Sequence, residues 1–383
     1  MSLIFRFIFR YRLLRLSRTR SGWVLLALPV LLAGCVTTKA PEQQAARETL
    51  SAESGQALVS SRLVVVAVGD IMLGGTAEPE LQKFGYDYPF VNVKNILSEA
   101  DIVFGNLEGP LTNKGSPEVE KKYKFRSPPG KVAPALARAG FDVVSLANNH
   151  TLDYGTAGLE DTLNALADAG IKYAGAGNNL AAAREAAILL RNNTRVAILA
   201  YSLTFPEDFW ATTDKPGTAF GHAENIKEDV ASARQQADIV IVSFHWGREG
   251  TTVLRDYQAA LGRAAIDAGA SAVLGHHPHI LQGIEKYKQG LIFYSFGNFV
   301  FGSYSRTAQR SVIARLVFEK HKLQSVKLIP INVNNVELIF QPQILQGQQA
   351  RAVIESLRQL SETGGVNLKY SDGVGTIMLD NNQ

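Results

Sequence analysis

Six short apolar runs stand out from an otherwise mixed pattern, at residues 63–68, 102–104, 143–146, 196–200, 239–244 and 272–274. They are rich in Val, Ile and Phe and do not alternate with polar residues, which predicts strands covered on both faces. Between them, at 91–97, 132–139, 158–169, 226–237 and 257–268, apolar positions recur at helical spacing. Strand, loop and helix in repeated succession predict an α/β domain with a largely parallel sheet. Two stretches interrupt the succession, 109–129 and 203–219, rich in Pro, Lys, Gly or aromatic residues. Their lengths are those of lids and binding loops. After residue 279 the texture changes. Residues 291–296, 311–318 and 324–332 predict antiparallel strands, followed by an amphipathic helix at 348–360 and a polar tail.

The start of the chain follows a different rule. Arg6, Arg10, Arg12, Arg15, Arg18 and Arg20 are balanced by no acid, an apolar run follows at 23–32, and the run ends in Leu32-Ala-Gly-Cys35. The run is too short to span a bilayer and has the layout of a secretory signal, its end resembling a bacterial lipobox. Cys35 is the sole cysteine. An exported protein with one thiol cannot close an internal disulfide, so acylation of Cys35 is expected, with membrane lipid as its partner. Val36 stands where an inner-membrane retention signal carries Asp, so the expected location is extracytoplasmic, at the outer membrane facing the periplasm in a Gram-negative organism. Residues 36–61 are small and polar and read as a tether. The expected division is thus signal and lipobox at 1–35, tether at 36–61, main domain at 62–303, and a β-rich completion with a terminal helix at 304–383.

The leader also explains the charge. The whole chain has 39 basic and 35 acidic residues, formally +4. Setting aside the six leader arginines leaves 33 against 35, formally −2, and with it goes any electrostatic case for nucleic acid as a partner.

Candidate chemistry gathers where predicted strands end. Three of seven histidines lie within four positions, in Gly275-His-His-Pro-His279. Four other strand ends carry Gly69-Asp70-Ile-Met72, Gly105-Asn106-Leu-Glu108, Asn148-Asn149-His150 with Asp153 behind it, and His245-Trp246-Gly-Arg248-Glu249. A lone Asp after a strand is commonly a cap, and Asn-Asn a turn. Carboxylate, amide and imidazole groups at five of the six strand ends instead suit a divalent transition metal, Mn, Zn or Fe. Glu108 and Glu249 are candidate bases. Asn106, Trp246, Arg248 and Asn298 are candidate substrate contacts, although Trp246 also suits a lid on the core, Arg248 a surface pair with Glu249, and Asn298 a structural role at the rim. His222 and His321 read as surface histidines.

Taken in order, Val-Gly-Asp-Ile-Met, Gly-Asn-Leu-Glu, Ala-Asn-Asn-His-Thr-Leu-Asp-Tyr-Gly, His-Trp-Gly-Arg-Glu, Gly-His-His-Pro-His and Ser-Phe-Gly-Asn-Phe resemble the metallophosphoesterase constellation, and more closely the CapA family of capsule or poly-γ-glutamate biosynthesis proteins, over residues 63–303. The resemblance implies a four-layer α/β/β/α sandwich, metallo-dependent phosphatase-like, with the site at the strand ends. It implies a surface role with an anionic polymer, and a membrane-bound polymer synthase or exporter as partner. Position by position it makes Asp70, Glu108, Asn149, His245, His277 and His279 ligands of one or two metal ions, and His150 the group that protonates a leaving oxygen. Two departures count against full likeness. Met72 replaces the histidine of the superfamily, and its bridging aspartate is either replaced by Asn106 or displaced to Glu108. Three readings stay open on these residues: a metal-dependent hydrolase or transferase, a non-catalytic polymer-binding scaffold, and an ordinary surface phosphatase.

Overall fold

Arg62–Met72 is the strand the molecule is built on, with every residue after Arg62 buried. Unbroken burial needs cover on both faces, and two layers supply it. The structure, a computed structural model, describes residues 62–117 and 121–379. The signal, the lipobox cysteine Cys35 and the tether lie outside the described residues.

A first, mixed sheet runs Leu368–Ser371, Val374–Met378, Lys322–Asn332, Arg310–Glu319, Arg62–Met72, Ile102–Leu107, Val143–Ser145 and Lys172–Ala174 in spatial order. The last four of these strands are mutually parallel, and Arg310–Glu319 is antiparallel to Arg62–Met72. A second sheet runs Ile284–Tyr287, Gly290–Phe293, Ala272–His276, Ile239–His245, Thr194–Ser202 and Ala187–Arg191, parallel except for the two edge strands.

Alternation along the strands sorts their side chains into three cores. Val65, Ala67, Phe104 and Ala314 of the first sheet pack with Ile198, Ile241, Leu274 and Phe293 of the second, so the sheets lie face to face. Val66, Val68, Val103 and Val144 point the other way, onto Leu136 of helix Pro129–Ala139 and Leu159 of helix Gly155–Asp168. Val240, Val242 and Val273 meet Ile226 and Val230 of helix Ala223–Gln236 and Ala265 of helix Asp256–Asp267. Helix, sheet, sheet, helix is the four-layer α/β/β/α sandwich that was expected. Each fully buried Val, Leu, Ile or Phe contributes roughly 1.5–3 kcal/mol, so the layers hold by burial before any polar contact is counted.

Two expectations need correction. Residues 291–296 are not an antiparallel strand of the C-terminal group: Gly290–Phe293 is parallel to Ala272–His276, and the chain then crosses over so that Asn298–Phe301 lies parallel to the end of Arg62–Met72. Nor is the tail after the last helix only polar loop. Leu368–Ser371 and Val374–Met378 form a hairpin that extends the first sheet, and helix Gly347–Leu360 beneath it sends Ala350, Val353, Ile354 and Leu357 into the core shared by the sheets. Among the described residues no helix is long and apolar enough to cross a membrane.

Candidate metal centre

Both sheets end at one place. In the first, Asp70 stands in register with Asn106 on one side and Asn298 on the other. In the second, His245 stands in register with His276. Gly69 permits the close approach, since a Cβ there would lie 2.0 Å from the Gly297 carbonyl oxygen. That same oxygen accepts the Asp70 N–H at 3.0 Å. Two of the histidines that follow have left-handed backbone, His277 at φ 94° and His279 at φ 60°. Such residues cost on the order of 1–3 kcal/mol each, a strain found most often at working sites.

Three groups of donors come close enough to share an ion: two are built on Glu108, and the third joins Glu249 on the rim to His277 and His279. In the first set, one ligand atom each from Glu108, His245 and His277 lie within 4.8 Å of one another. His245 Nε2 is 3.1 Å from His277 Nδ1 and 2.8 Å from Asn149 Oδ1, which adds an amide oxygen. In the second set, Asp70, Glu108 and His279 come equally close. Glu108 Oε1 lies 3.6 Å from His245 Nε2 and 3.7 Å from His279 Nε2, placing one carboxylate between the sets. The ring orientations are set from behind. The Asn106 amide sits 3.2 Å from His245 Nδ1, and Asn298 Oδ1 2.9 Å from His279 Nδ1, so both rings turn Nε2 toward the centre.

The charge states of the two rings in the first set agree with this use. Burial, reinforced by His277, holds His245 well below the ordinary histidine range. Burial and the neighbouring His279 push His277 down to about 3. Both rings therefore rest neutral, the form that binds metal. Burial raises Glu108 well above the carboxylate range against the pull of His279, with Asp70 and Glu249 adding to the rise. Burial acts to raise Asp70 too, but the imidazoles of His276 and His279 beside it outweigh burial and hold Asp70 well below its usual value. Burial opposes protonation of His279, and Glu108 and Asp70 overcome it, lifting the ring to about 10.

The fit to a cation can be judged from what the protein leaves unmade. Glu108 Oε1 is fully buried and has no hydrogen-bond partner among the described residues. An orphaned buried carboxylate oxygen ringed by imidazole nitrogens is costly unless a positive charge completes it. The donors fit a divalent transition metal. When bound, it would act as a Lewis acid toward a substrate oxygen and lower the pKa of water.

Beside the donors lies a buried histidine–aspartate pair. His150 Nδ1 is 2.6 Å from Asp153 Oδ2, a buried contact. Lys121, from the 109–129 insertion, reaches in to donate to Asp153 Oδ1 at 2.5 Å and to the Asn149 carbonyl. Phe125 of the same insertion covers the His150 ring at 4.5 Å between centroids. The other insertion meets it there, with the Phe209 ring 5.1 Å from the Lys121 ammonium.

Several expected roles change. Trp246 is no substrate contact: it is fully buried, stacked on Phe244 at 4.5 Å, and its indole N–H donates to the Tyr294 carbonyl. Asn106 is fully buried and spent on Asp70, whose Oδ1 accepts from its amide at 2.9 Å, so it shapes the centre rather than touching substrate. Met72 is buried with its sulfur accepting the Gly74 N–H, outside both donor sets. Arg248 and Glu249 are exposed on the rim, and Asn298 is buried at the start of its strand. His222 and His321 are exposed and remote from the donor sets. The sequence reasoning gave no role to three residues. Lys121 sat in an insertion without pattern, Asp153 was noted only as lying behind His150, and His276 was passed over. His276 is fully buried, 3.3 Å from Asp70 Oδ1 by Nδ1, and neither ring nitrogen has a hydrogen-bond partner among the described residues. Strand alternation was the available signal, since His276 shares a face with Ala272 and Leu274.

Residues 64–303 match the family described as Bacterial capsule synthesis protein PGA_cap. The chain is similar to the capsule biosynthesis protein CapA of Bacillus anthracis, 34% identical over 280 residues, 72% of this chain and 68% of that protein. It is also similar to the PGA biosynthesis protein CapA of Bacillus subtilis (strain 168), 32% identical over 315 residues, 82% of this chain and 81% of that protein. A solved structure it resembles is a 5'-nucleotidase precursor from Thermus thermophilus, 15% identical with a TM-score of 0.44, covering 78% of this chain and 58% of that one.

Proposed function

From the premise that the chain belongs to the bacterial capsule synthesis protein family, we propose that it is a lipid-anchored, extracytoplasmic, metal-dependent hydrolase or transferase acting on an anionic surface polymer beside a membrane-bound synthase or exporter. The observation that carries the reading is Glu108 Oε1, buried and unpartnered between two sets of donors. A scaffold has no reason to bear that cost.

In this reading Asn149, His245, His277 and Glu108 hold a metal, and Asp70 and His279 complete the far side with Glu108. Glu108, between the sets, is a ligand rather than a base. His150 handles protons. Burial lowers its pKa, against the hydrogen bond that its Nδ1–H donates to Asp153, so the ring rests neutral with Nε2 able to accept. It takes a proton from the attacking water or hydroxyl, Asp153 stabilises the imidazolium that forms, and the same proton passes to the leaving oxygen or nitrogen as its bond to carbon or phosphorus breaks. Lys121 keeps Asp153 and the Asn149 main chain in place for both tasks.

One observation favours the scaffold instead: Met72, where the resemblance expects a ligand histidine, is buried with its sulfur turned to the Gly74 N–H. Metal analysis of the purified protein separates the two, together with polymer length and release in cells carrying Asp70→Ala or His279→Ala. Stoichiometric transition metal, and polymer processing lost in the variants, is the expected result. Unchanged metal content and unchanged processing in both variants would remove the catalytic reading.

A further inference from the structure

The open side of the centre is faced by a carboxylate that neither of the two Glu108 sets requires. Glu249 is exposed, on the loop between strand Ile239–His245 and helix Asp256–Asp267. One of its oxygens nevertheless lies within 4.8 Å of ring nitrogens of both His277 and His279. The loop is held there. Its Gly247 N–H donates to the Tyr257 hydroxyl at 2.8 Å and its Gly250 N–H to the Pro278 carbonyl at 3.0 Å. Both glycines take positive φ, 87° and 66°, which other residues adopt only with strain. Glu108 therefore stands on the buried side of the two imidazoles and Glu249 on the solvent side. Among the described residues no ion pair neutralises Glu249, and its neighbour Arg248 is exposed and makes none either. The negative charge acts inward, raising Glu108 and His279 and opposing the fall of Lys121.

We propose that Glu249 is a specificity-determining residue that sorts ligands by charge at the mouth of the centre, turning away doubly charged phosphate monoesters and admitting an acyl group such as a carboxamide. The inference rests on the metal-centre reading above and narrows its substrate class. Repulsion scales with the product of charges, so a phosphate dianion meets twice the opposition that a monoanion does, and an amide carbonyl meets none. A phosphatase gains nothing from a fixed carboxylate where its substrate must enter. A site for acyl bonds in a polyanion gains discrimination against free phosphate.

The test uses the full-length protein loaded with Mn²⁺ and titrated with inorganic phosphate at alkaline pH, in the wild type and in Glu249→Asp, Glu249→Gln and Glu249→Lys, with bound manganese measured in each. The expected result is phosphate binding about tenfold tighter in E249Q, tighter again in E249K and unchanged in E249D, with manganese content equal throughout. Phosphate affinity that stays flat or falls along that series with manganese intact overturns the proposal and leaves the metal reading standing. Manganese lost in E249Q and E249K makes Glu249 a ligand and also overturns it. A wild type that binds no manganese overturns both.

Discussion

The two donor sets differ in how much of their chemistry the protein has already spent. Around His245 the groups are imidazole nitrogens and an amide oxygen that meet one another, with Glu108 Oε1 unpartnered beside them. Around Asp70 the carboxylate is committed. Its oxygens accept from the Asn106 amide at 2.9 Å and the His277 N–H at 3.3 Å, and lie 3.3 and 3.2 Å from the Nδ1 atoms of His276 and His279. The first set keeps an unpartnered carboxylate oxygen, while the carboxylate of the second is already engaged by protein groups. The neighbouring strand residue marks the same contrast, for Met72 brings a thioether turned to the backbone where an imidazole would have completed the second set. Two adjacent positions in one fold are thus expected to differ in affinity, the first holding its ion tightly and the second loosely.

The largest expected effect breaks the tight side. His245→Ala removes the ring that touches both Asn149 and His277, and metal affinity should fall on the order of 100-fold or more, since even loss of an outer partner of a ligand costs 10–100-fold. Equilibrium dialysis against a competing chelator measures it. Next comes a substitution that evens the two sides. Met72→His should raise the bound ions per chain toward two, and elemental analysis that finds no second ion would show that Asp70, and not the missing imidazole, limits the second set.

Acid should then act on the histidines the protein holds neutral. In the chelator-treated protein, His150, His245 and His277 all have lowered values, so between roughly pH 6.5 and the folded value of about 3 for His277 the unfolded chain binds more protons at these sites. Glu108, raised in the fold, opposes them, and its single proton is outnumbered by three. His279, raised to about 10, contributes stability that is already full below pH 6.5 and is lost only as pH rises toward 10. Stability should therefore decline as pH falls from 6.5, by about 1.4 kcal/mol per pH unit for each net proton. Denaturant melts across that range check the sign, and His277→Leu should flatten the slope. The smallest effect belongs to Lys121→Met, which loosens the Asn149 main chain and Asp153 without removing a donor. Metal affinity should drop by roughly a few-fold to tenfold, with Lys121→Arg recovering part of the loss.

Much of this centre was legible in the sequence because α/β folds place their chemistry at strand ends, and strands buried on both faces declare themselves as unbroken apolar runs. Asp70, Asn149, His245 and His279 were found that way. Trp246 was misplaced for want of applying the strand period one residue further. Val240, Val242, Phe244 and Trp246 share the face that packs on the helices, while Ile239, Ile241 and His245 look toward the other sheet. The same period would have turned His276 inward. Lys121 was beyond reach, because an irregular insertion gives no rule for where one of its lysines will end. The crossover that brings Asn298 beside Asp70 was equally hidden, since Gly290–Phe293 and Asn298–Phe301 join different sheets though only four residues separate them.

The account stands or falls on whether Glu108 and the rings around it hold a cation. Elemental analysis of the full-length protein, purified without chelator, tests this most directly alongside His245→Ala. One tightly held transition-metal ion per chain, absent from the variant, is the result predicted here. A wild type free of metal that still supports normal polymer synthesis would contradict it.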